Sequence, residues 1–277
     1  AALVAAGAVP VDQRARAISR VMMGLTVAIL IGAPLGTWTG NLFGWQIAFV
    51  GVGGIALLTA LLIRFYVPVQ PVDTFASPLR ELSALLKQRV LVALALACIG
   101  CGGMFAIFSY VMPTLTQQAG MSEALGPLVL VIFGLGSIAG NLIGGRMADK
   151  NLMRAIPLIL VWCAVVQGLF YFAANNTWTG LLFVGLVGTS MALAPSLQTR
   201  LMDVAEDAQT MAASLNHAAF NGANALGAWL AGLAISAGFS WSSTGLVGAG
   251  LALCGLVIFA AGRWLEKRTY GAVTQRA

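Results

Sequence analysis

The sequence predicts an all-α polytopic membrane protein. Of its 277 residues, 59% are hydrophobic and 9% charged, where soluble domains carry about 25% charged residues. Apolar runs of the roughly 20 residues needed to cross a bilayer as a helix recur along the whole chain, and the mean hydropathy is +0.90. All 15 Lys and Arg residues fall in every second connection between those runs.

Residues 1–10 are an apolar stub with no basic stretch before it. Ten helical residues span about 15 Å, half the hydrocarbon thickness. The stub therefore reads as the end of a helix that begins earlier, not as a signal peptide. Eight spans follow, at about 21–43, 45–67, 91–116, 125–146, 155–174, 178–200, 211–236 and 242–263. The connections 10–20, 64–90, 146–154, 198–210 and 263–277 hold every Lys and Arg, and the alternate connections hold none. The positive-inside rule makes the basic set cytoplasmic, the C-terminus included. Glu123 is the one charge expected on the opposite face. Nucleic-acid binding does not require this alternation, so the net charge of +6 is a topology signal. Trp38, Trp45, Trp178 and Trp241 stand near the uncharged ends of spans, where aromatic belts form. Cys98, Cys101, Cys163 and Cys254 all lie in apolar runs and read as small buried hydrophobes. The longest connection, 64–90, is polar, holds Pro68, Pro71 and Pro78, and leaves two spans before it and six after it.

A shift of 195 residues aligns Asp12, Ala17, Ser19, Ala28, Gly32, Ala33 and Leu35 with Asp207, Ala212, Ser214, Ala223, Gly227, Ala228 and Leu230 without gaps. The two matching helices are six spans apart and run in the same direction. That is the pattern of a parallel six-helix repeat.

Several motifs resemble one family. Gly145, Asp149, Lys150 and Arg154 in "GGRMADKNLMR" resemble the cytoplasmic-loop motif of the major facilitator superfamily, with Leu152 and Met153 standing where Gly and Arg are usual. "GLTVAILIGAPLGTWTG", with Gly32, Pro34, Gly36 and Gly40, is similar to the fifth-helix motif of proton-driven efflux antiporters. "FGWQIAF", "FSYVMP", "FGLGSIAGNLIGGRMAD" and "FNGANALGAWLAG" resemble the arabinose-efflux-like permeases of the drug–proton antiporter branch. The resemblance implies the C-terminal two-thirds of a 12-helix fold, truncated at its N-terminus. Residues 1–67 would be the remnant of the first six-helix bundle, 68–90 the central cytoplasmic loop, 91–263 the second bundle and 264–277 a cytoplasmic tail. It implies a secondary transporter of the bacterial inner membrane, exporting a sugar-like or drug-like molecule by alternating access with proton antiport. Its partners would be the bilayer, the small molecule and protons. It would need no cofactor and act as a monomer when full-length. The chain by itself is expected to be inactive in transport.

Gly32, Gly36 and Gly40 share one helix face, as do Gly136, Gly140 and Gly144. Small residues permit close helix approach in lipid, and in the resembled family these helices meet between the halves. The two stripes are therefore expected to cross each other, with Pro34 bending its helix. Pathway candidates are polar groups within spans. His217, Asn221 and Asn224 form one stripe, and amides at bilayer depth are costly unless paired or hydrated. Asn221 and Asn224 either face a central cavity or bond to neighbouring helices. His217 is a proton relay or a solvated interfacial group. Ser109, Tyr110 and Asn141 are further candidates, and Gln167 is a weaker one. Met104, Phe105, Phe108 and Met112 either line a drug-accepting cavity or pack. No acid falls in the middle of a span, so a coupling carboxylate is expected in the absent helices. Asp149 is expected to pair with nearby Arg/Lys and with the helix beginning near Ser19, latching the cytoplasmic side. A membrane enzyme finds no His-Glu-x-x-His, intramembrane Asp/His pair or Ser/His/Asp set here. A channel or structural subunit is the other class.

Overall fold

A computed structural model describes Gly24 and residues 28–67, 87–205 and 209–274, and every element among them is helical. The stub 1–10, the basic connection 10–20, Ser19, Asp207 and the three linker prolines lie outside the described residues. The chain divides into two units, Ala1–Pro78 and Leu79–Ala277.

In the first unit a π turn, Ala28–Gly32, leads into α1 (Ala33–Phe43), and α2 (Trp45–Tyr66) follows. Pro34 sits in the first turn of α1. Its missing N–H and its ring prevent a regular α turn behind it, and the wider π turn accommodates both. Gly44 joins the helices at φ 90°, a conformation that side chains oppose. Its N–H closes α1 on the Gly40 carbonyl at 2.9 Å. Large side chains such as Phe49, Leu57 and Phe65 stand exposed, as expected of helices whose apolar surface is covered by lipid.

The second unit contains α3 (Gln88–Pro113), α4 (Gly126–Ala173), α5 (Thr177–Gly188), α6 (Leu193–Ala205), α7 (Gln209–Ser236) and α8 (Ser243–Thr274). Its prolines punctuate it. Pro113 is followed by a π turn, Thr114–Gln118. Pro195 lies in the first turn after the 3-10 segment Thr189–Ala192, which links α5 to α6.

Six described helical stretches are long and apolar enough to cross a membrane: Trp45–Tyr66, Gln88–Gln118, Glu123–Ala173, Thr177–Ala205, Ser214–Ser236 and Ser243–Glu266. The difference from eight has a local cause. The run 21–43 is described as a regular α-helix only over the 11 residues of α1. The runs 125–146 and 155–174 lie on one stretch of 51 residues. A straight helix of that length would measure about 76 Å, more than twice the hydrocarbon thickness. The backbone instead breaks at Asn151, where φ is −164° and ψ is 94°. Asn151 Oδ1 accepts the Arg154 backbone N–H at 3.1 Å, so the residue caps the limb 152–173. Asn151→Ala is expected to cost about 1 kcal/mol, read as a lower unfolding temperature in detergent, with Asn151→Asp keeping most of the stability.

α3 is the hub of this unit, packed by α7 and α8, with Ala97, Met104, Ala106 and Ile107 almost fully buried. The glycine stripe of α4 is filled within the unit. A Cβ on Gly136, Gly140 or Gly144 would strike the backbone of Gly185, Thr189 or Ala192 respectively. The expectation that this stripe meets Gly32, Gly36 and Gly40 is thereby corrected. Spacing marks a face narrow enough for close approach, but it does not select the helix that fills it. At the uncharged end, Gln118 joins separate turns: its Nε2 donates to Asn175 Oδ1 at 2.7 Å, and its Oε1 accepts the Ser242 N–H at 2.9 Å.

Candidate functional site

The sequence candidates separate into one group and several isolated positions. α3 and α7 cross where Gly102 and Gly227 bring their backbones together. Two turns further along α3, Tyr110 donates its hydroxyl to the Ala228 carbonyl at 3.2 Å. Its ring lies 6.3 Å from that of Trp241. Asn224 stands one turn before Ala228 on α7, and Asn221 one turn before that. Both are exposed, and neither hydrogen-bonds to any described residue. Ser109, also exposed, lies seven residues after Gly102 and so shares its face of α3. The structure therefore ties Tyr110 to α7, the helix that also exposes Asn221 and Asn224, while Ser109 stands exposed beside Tyr110 on α3. Two exposed amides in a span with hydropathy 1.2 face water or a polar partner, because lipid leaves them unsatisfied. His217 is exposed on the same stripe.

Asn141 stays apart. It is half-buried on the first limb of α4, and no hydrogen bond ties it to the seam. Met104, Phe105, Phe108 and Met112 pack in the unit's apolar core, with the Phe108 and Phe133 rings 4.4 Å apart. Met104 is buried, whereas Phe105, Phe108 and Met112 pack on this core and keep part of their surface exposed. Gln167 is fully buried, its Nε2 donating to Ser190 Oγ at 3.2 Å. Its Oε1 has no partner and sits against the positions where Gly103 and Gly248 lack a Cβ. It is a packed polar group, not a pathway residue. Asn216, buried with Oδ1 unpartnered, was not legible: it lies one residue from His217, turned about 100° off the exposed stripe.

The charged loop is open. Gly145 is half-buried, and Asp149, Lys150 and Arg154 are exposed. Among the described residues Asp149 makes no ion pair, so the expected pairing with nearby Arg/Lys is not formed there, and the helix start near Ser19 lies outside the described residues. An exposed pair of this kind contributes only about 0–1 kcal/mol, too little to hold two mobile side chains together. One ion pair among the described residues joins Arg200 to Glu266, 66 residues apart in the chain. In the first unit, a Cβ on Gly32 or Gly36 would meet nothing within 4 Å, and one on Gly40 only the Trp45 backbone at 3.9 Å. Among the described residues of its unit, nothing packs closely on the glycines of this face.

Comparison with known proteins supports the reading from motifs. The Major Facilitator Superfamily profile matches residues 1–206 and, overlapping, 104–277. The chain is 33% identical over 265 residues to Inner membrane transport protein YdhP of Escherichia coli O157:H7, a match covering 94% of this chain and 68% of the relative. It is 35% identical over 227 residues to a chloramphenicol resistance protein of Streptomyces lividans, covering 78% of this chain and 57% of the relative. It is 29% identical over 252 residues to a probable sugar efflux transporter of Helicobacter acinonychis (strain Sheeba), covering 90% and 64%. With profile matches that together run the length of the sequence, on an all-helical arrangement of apolar spans, the chain belongs to the Major Facilitator Superfamily and is a transporter protein, not an enzyme.

Proposed function

We propose that this chain works in a secondary active transporter that exports a small molecule, sugar-like or drug-like, across the bacterial inner membrane by alternating access. The observation that carries it is the seam of Tyr110, Asn221 and Asn224: amides exposed in an apolar span with no partner in their own unit. The efflux and resistance proteins among its relatives support export. In this reading Asn221 and Asn224 offer substrate hydrogen bonds, with Ser109 and Tyr110 beside them, and Asn141 serves the pathway from another helix. Eight crossings follow if the run 21–43 and the two limbs of α4 each span the bilayer. The basic ends, and the C-terminus, are then cytoplasmic. The two crossings before 68–90 belong to one bundle and the six after it to another, and the protein acts as a monomer.

Coupling is proton antiport, its titrating acid standing outside the described spans. Gly32, Pro34, Gly36 and Gly40 form the bent antiporter-type helix. Asp149, with Gly145, Lys150 and Arg154, gates the cytoplasmic side by pairing only in the state where the halves close there.

Vesicles carrying the full-length gene product are expected to show saturable export driven by an imposed proton gradient. Ungated ohmic conductance would sink the carrier reading. Asp149→Asn is expected to slow export about tenfold, the weight of one charge-assisted hydrogen bond. Export at the wild-type rate would remove the gate.

A further inference from the structure

Gln118 stands half-buried just past the uncharged end of α3 and reaches two turns that are distant in the chain. Its Nε2 donates to Asn175 Oδ1 at 2.7 Å, in the turn between α4 and α5. Its Oε1 accepts the Ser242 N–H at 2.9 Å, in the turn between α7 and α8. Asn175 is itself held, because its Nδ2 donates to the Phe172 carbonyl at 3.1 Å. One side-chain amide thus uses a donor and its acceptor to join two loops. Tyr110, Thr114 and Gln118 follow one another every four residues, so they share one face of α3 and its π turn. All three meet the segment 241–242. The Tyr110 and Trp241 rings lie 6.3 Å apart, tilted by 39°. The fully buried Thr114 has its Oγ1 3.4 Å from the Trp241 carbonyl.

Trp241 links this clamp to α7. The Tyr110 hydroxyl rests on that helix: it donates to the Ala228 carbonyl at 3.2 Å, and a Cβ on Gly232 would lie 2.6 Å from it. A separation of 3.2 Å is long for an O–H···O bond, so the place of the ring depends on what stands behind it. What stands there is Trp241, in a turn that is tied to itself. The Ser243 N–H donates to the Ser240 carbonyl at 2.9 Å, and Thr244 Oγ1 donates to the Trp241 carbonyl at 3.0 Å. Such a turn moves as one piece, and the Gln118 bond to Ser242 fixes it from outside. We infer that Gln118 is a positioning residue: it sets the α7–α8 turn, Trp241 of that turn backs the Tyr110 ring, and the Tyr110 hydroxyl is thereby kept on the helix that carries Asn221 and Asn224. The clamp stands apart from function, and only its consequence for transport rests on α7 lining the pathway.

Hydrogen exchange of the full-length protein in lipid nanodiscs reads the clamp without any substrate. Gln118→Ala is expected to speed exchange of the segment 239–244 about fivefold, the weight of one neutral hydrogen bond, although Ser242 lies 124 positions away. Gln118→Glu keeps an acceptor for the Ser242 N–H and is expected to stay slow. Exchange over 226–232 is expected to rise in Gln118→Ala and in Tyr110→Phe, with no further rise when the two are combined, because the first acts through the second. In vesicles with chloramphenicol and arabinose as probes, the KM of whichever is carried is expected to rise about fivefold in Gln118→Ala and to return in Gln118→Glu. Unchanged exchange at 239–244 overturns the clamp. Additive effects at 226–232, or faster exchange with an unaltered KM, overturn the positioning of Tyr110. Wild-type vesicles that carry neither probe overturn the export reading, while the exchange results still decide the clamp.

Discussion

Gly136→Ala combined with Gly144→Ala is expected to destabilise the folded protein by about 2–6 kcal/mol, at about 1–3 kcal/mol per overpacked site. In lipid, helices gain nothing from hiding apolar surface, so their association depends on close contact. Here that contact is backbone against backbone. A methyl on Gly136 would lie 2.9 Å from the Gly185 carbonyl carbon, and one on Gly144 would lie 2.6 Å from Ala192 Cα. Neither obstacle is a side chain that can rotate away, so α4 must move off α5 and the 3-10 segment. The two sites are eight residues, about 12 Å, apart along the helix, far enough for their effects to add. Gly250→Ala, where a Cβ meets nothing within 4 Å, is the matched control, expected to be neutral or slightly stabilising through helix propensity. Unfolding followed by tryptophan fluorescence in detergent separates them. Equal midpoints for the double variant and the control would show that the glycine face is not needed for packing.

Asn221→Ala combined with Asn224→Ala is expected to raise the transport KM by about tenfold, with a smaller change in maximal rate. Each amide hydrogen bond to a substrate contributes about 0.5–1.5 kcal/mol net, and two together give roughly that factor. A loss that falls on KM marks groups that bind the substrate throughout the cycle. Because neither amide bonds to a described helix, their removal is expected to leave the unfolding midpoint nearly unchanged. A lower midpoint with an unaltered KM would assign them to helix pairing instead. Tyr110 supplies a contrast, because its hydroxyl already serves the Ala228 carbonyl. Tyr110→Phe should therefore disturb the α3–α7 seam as well as transport.

Much of the fold was legible before any coordinates. An apolar run announces a span without reference to any partner, since in lipid a helix must satisfy its own backbone groups. The runs at 45–67, 91–116, 178–200, 211–236 and 242–263 accordingly fall on helical stretches able to cross a membrane. Gly44 and Asn151 mark chain reversals or breaks where a short polar or glycine-bearing segment interrupts apolar sequence. The candidate site was legible in part. Asn221 and Asn224 stood out because amides are conspicuous among Ala, Leu and Gly. Gln167 stood out for the same reason, yet its amide is sealed between Gly103, Gly248 and Ser190. Sequence shows that a polar group is embedded in a span, but not which way it points.

Class, spans and orientation signals were thus determined by the sequence alone, because they depend on how each segment partitions between water and lipid, one residue after another. The tertiary structure decided which surfaces meet. It filled the glycine face of α4 with Gly185, Thr189 and Ala192, left Asp149 unpaired among the described residues, and joined Arg200 to Glu266. It also brought Gln118 against the turns at Asn175 and Ser242. These outcomes depend on contacts between residues far apart in the chain. Hydropathy and spacing do not encode them, since a narrow face or a stray charge can be answered by any helix that arrives beside it.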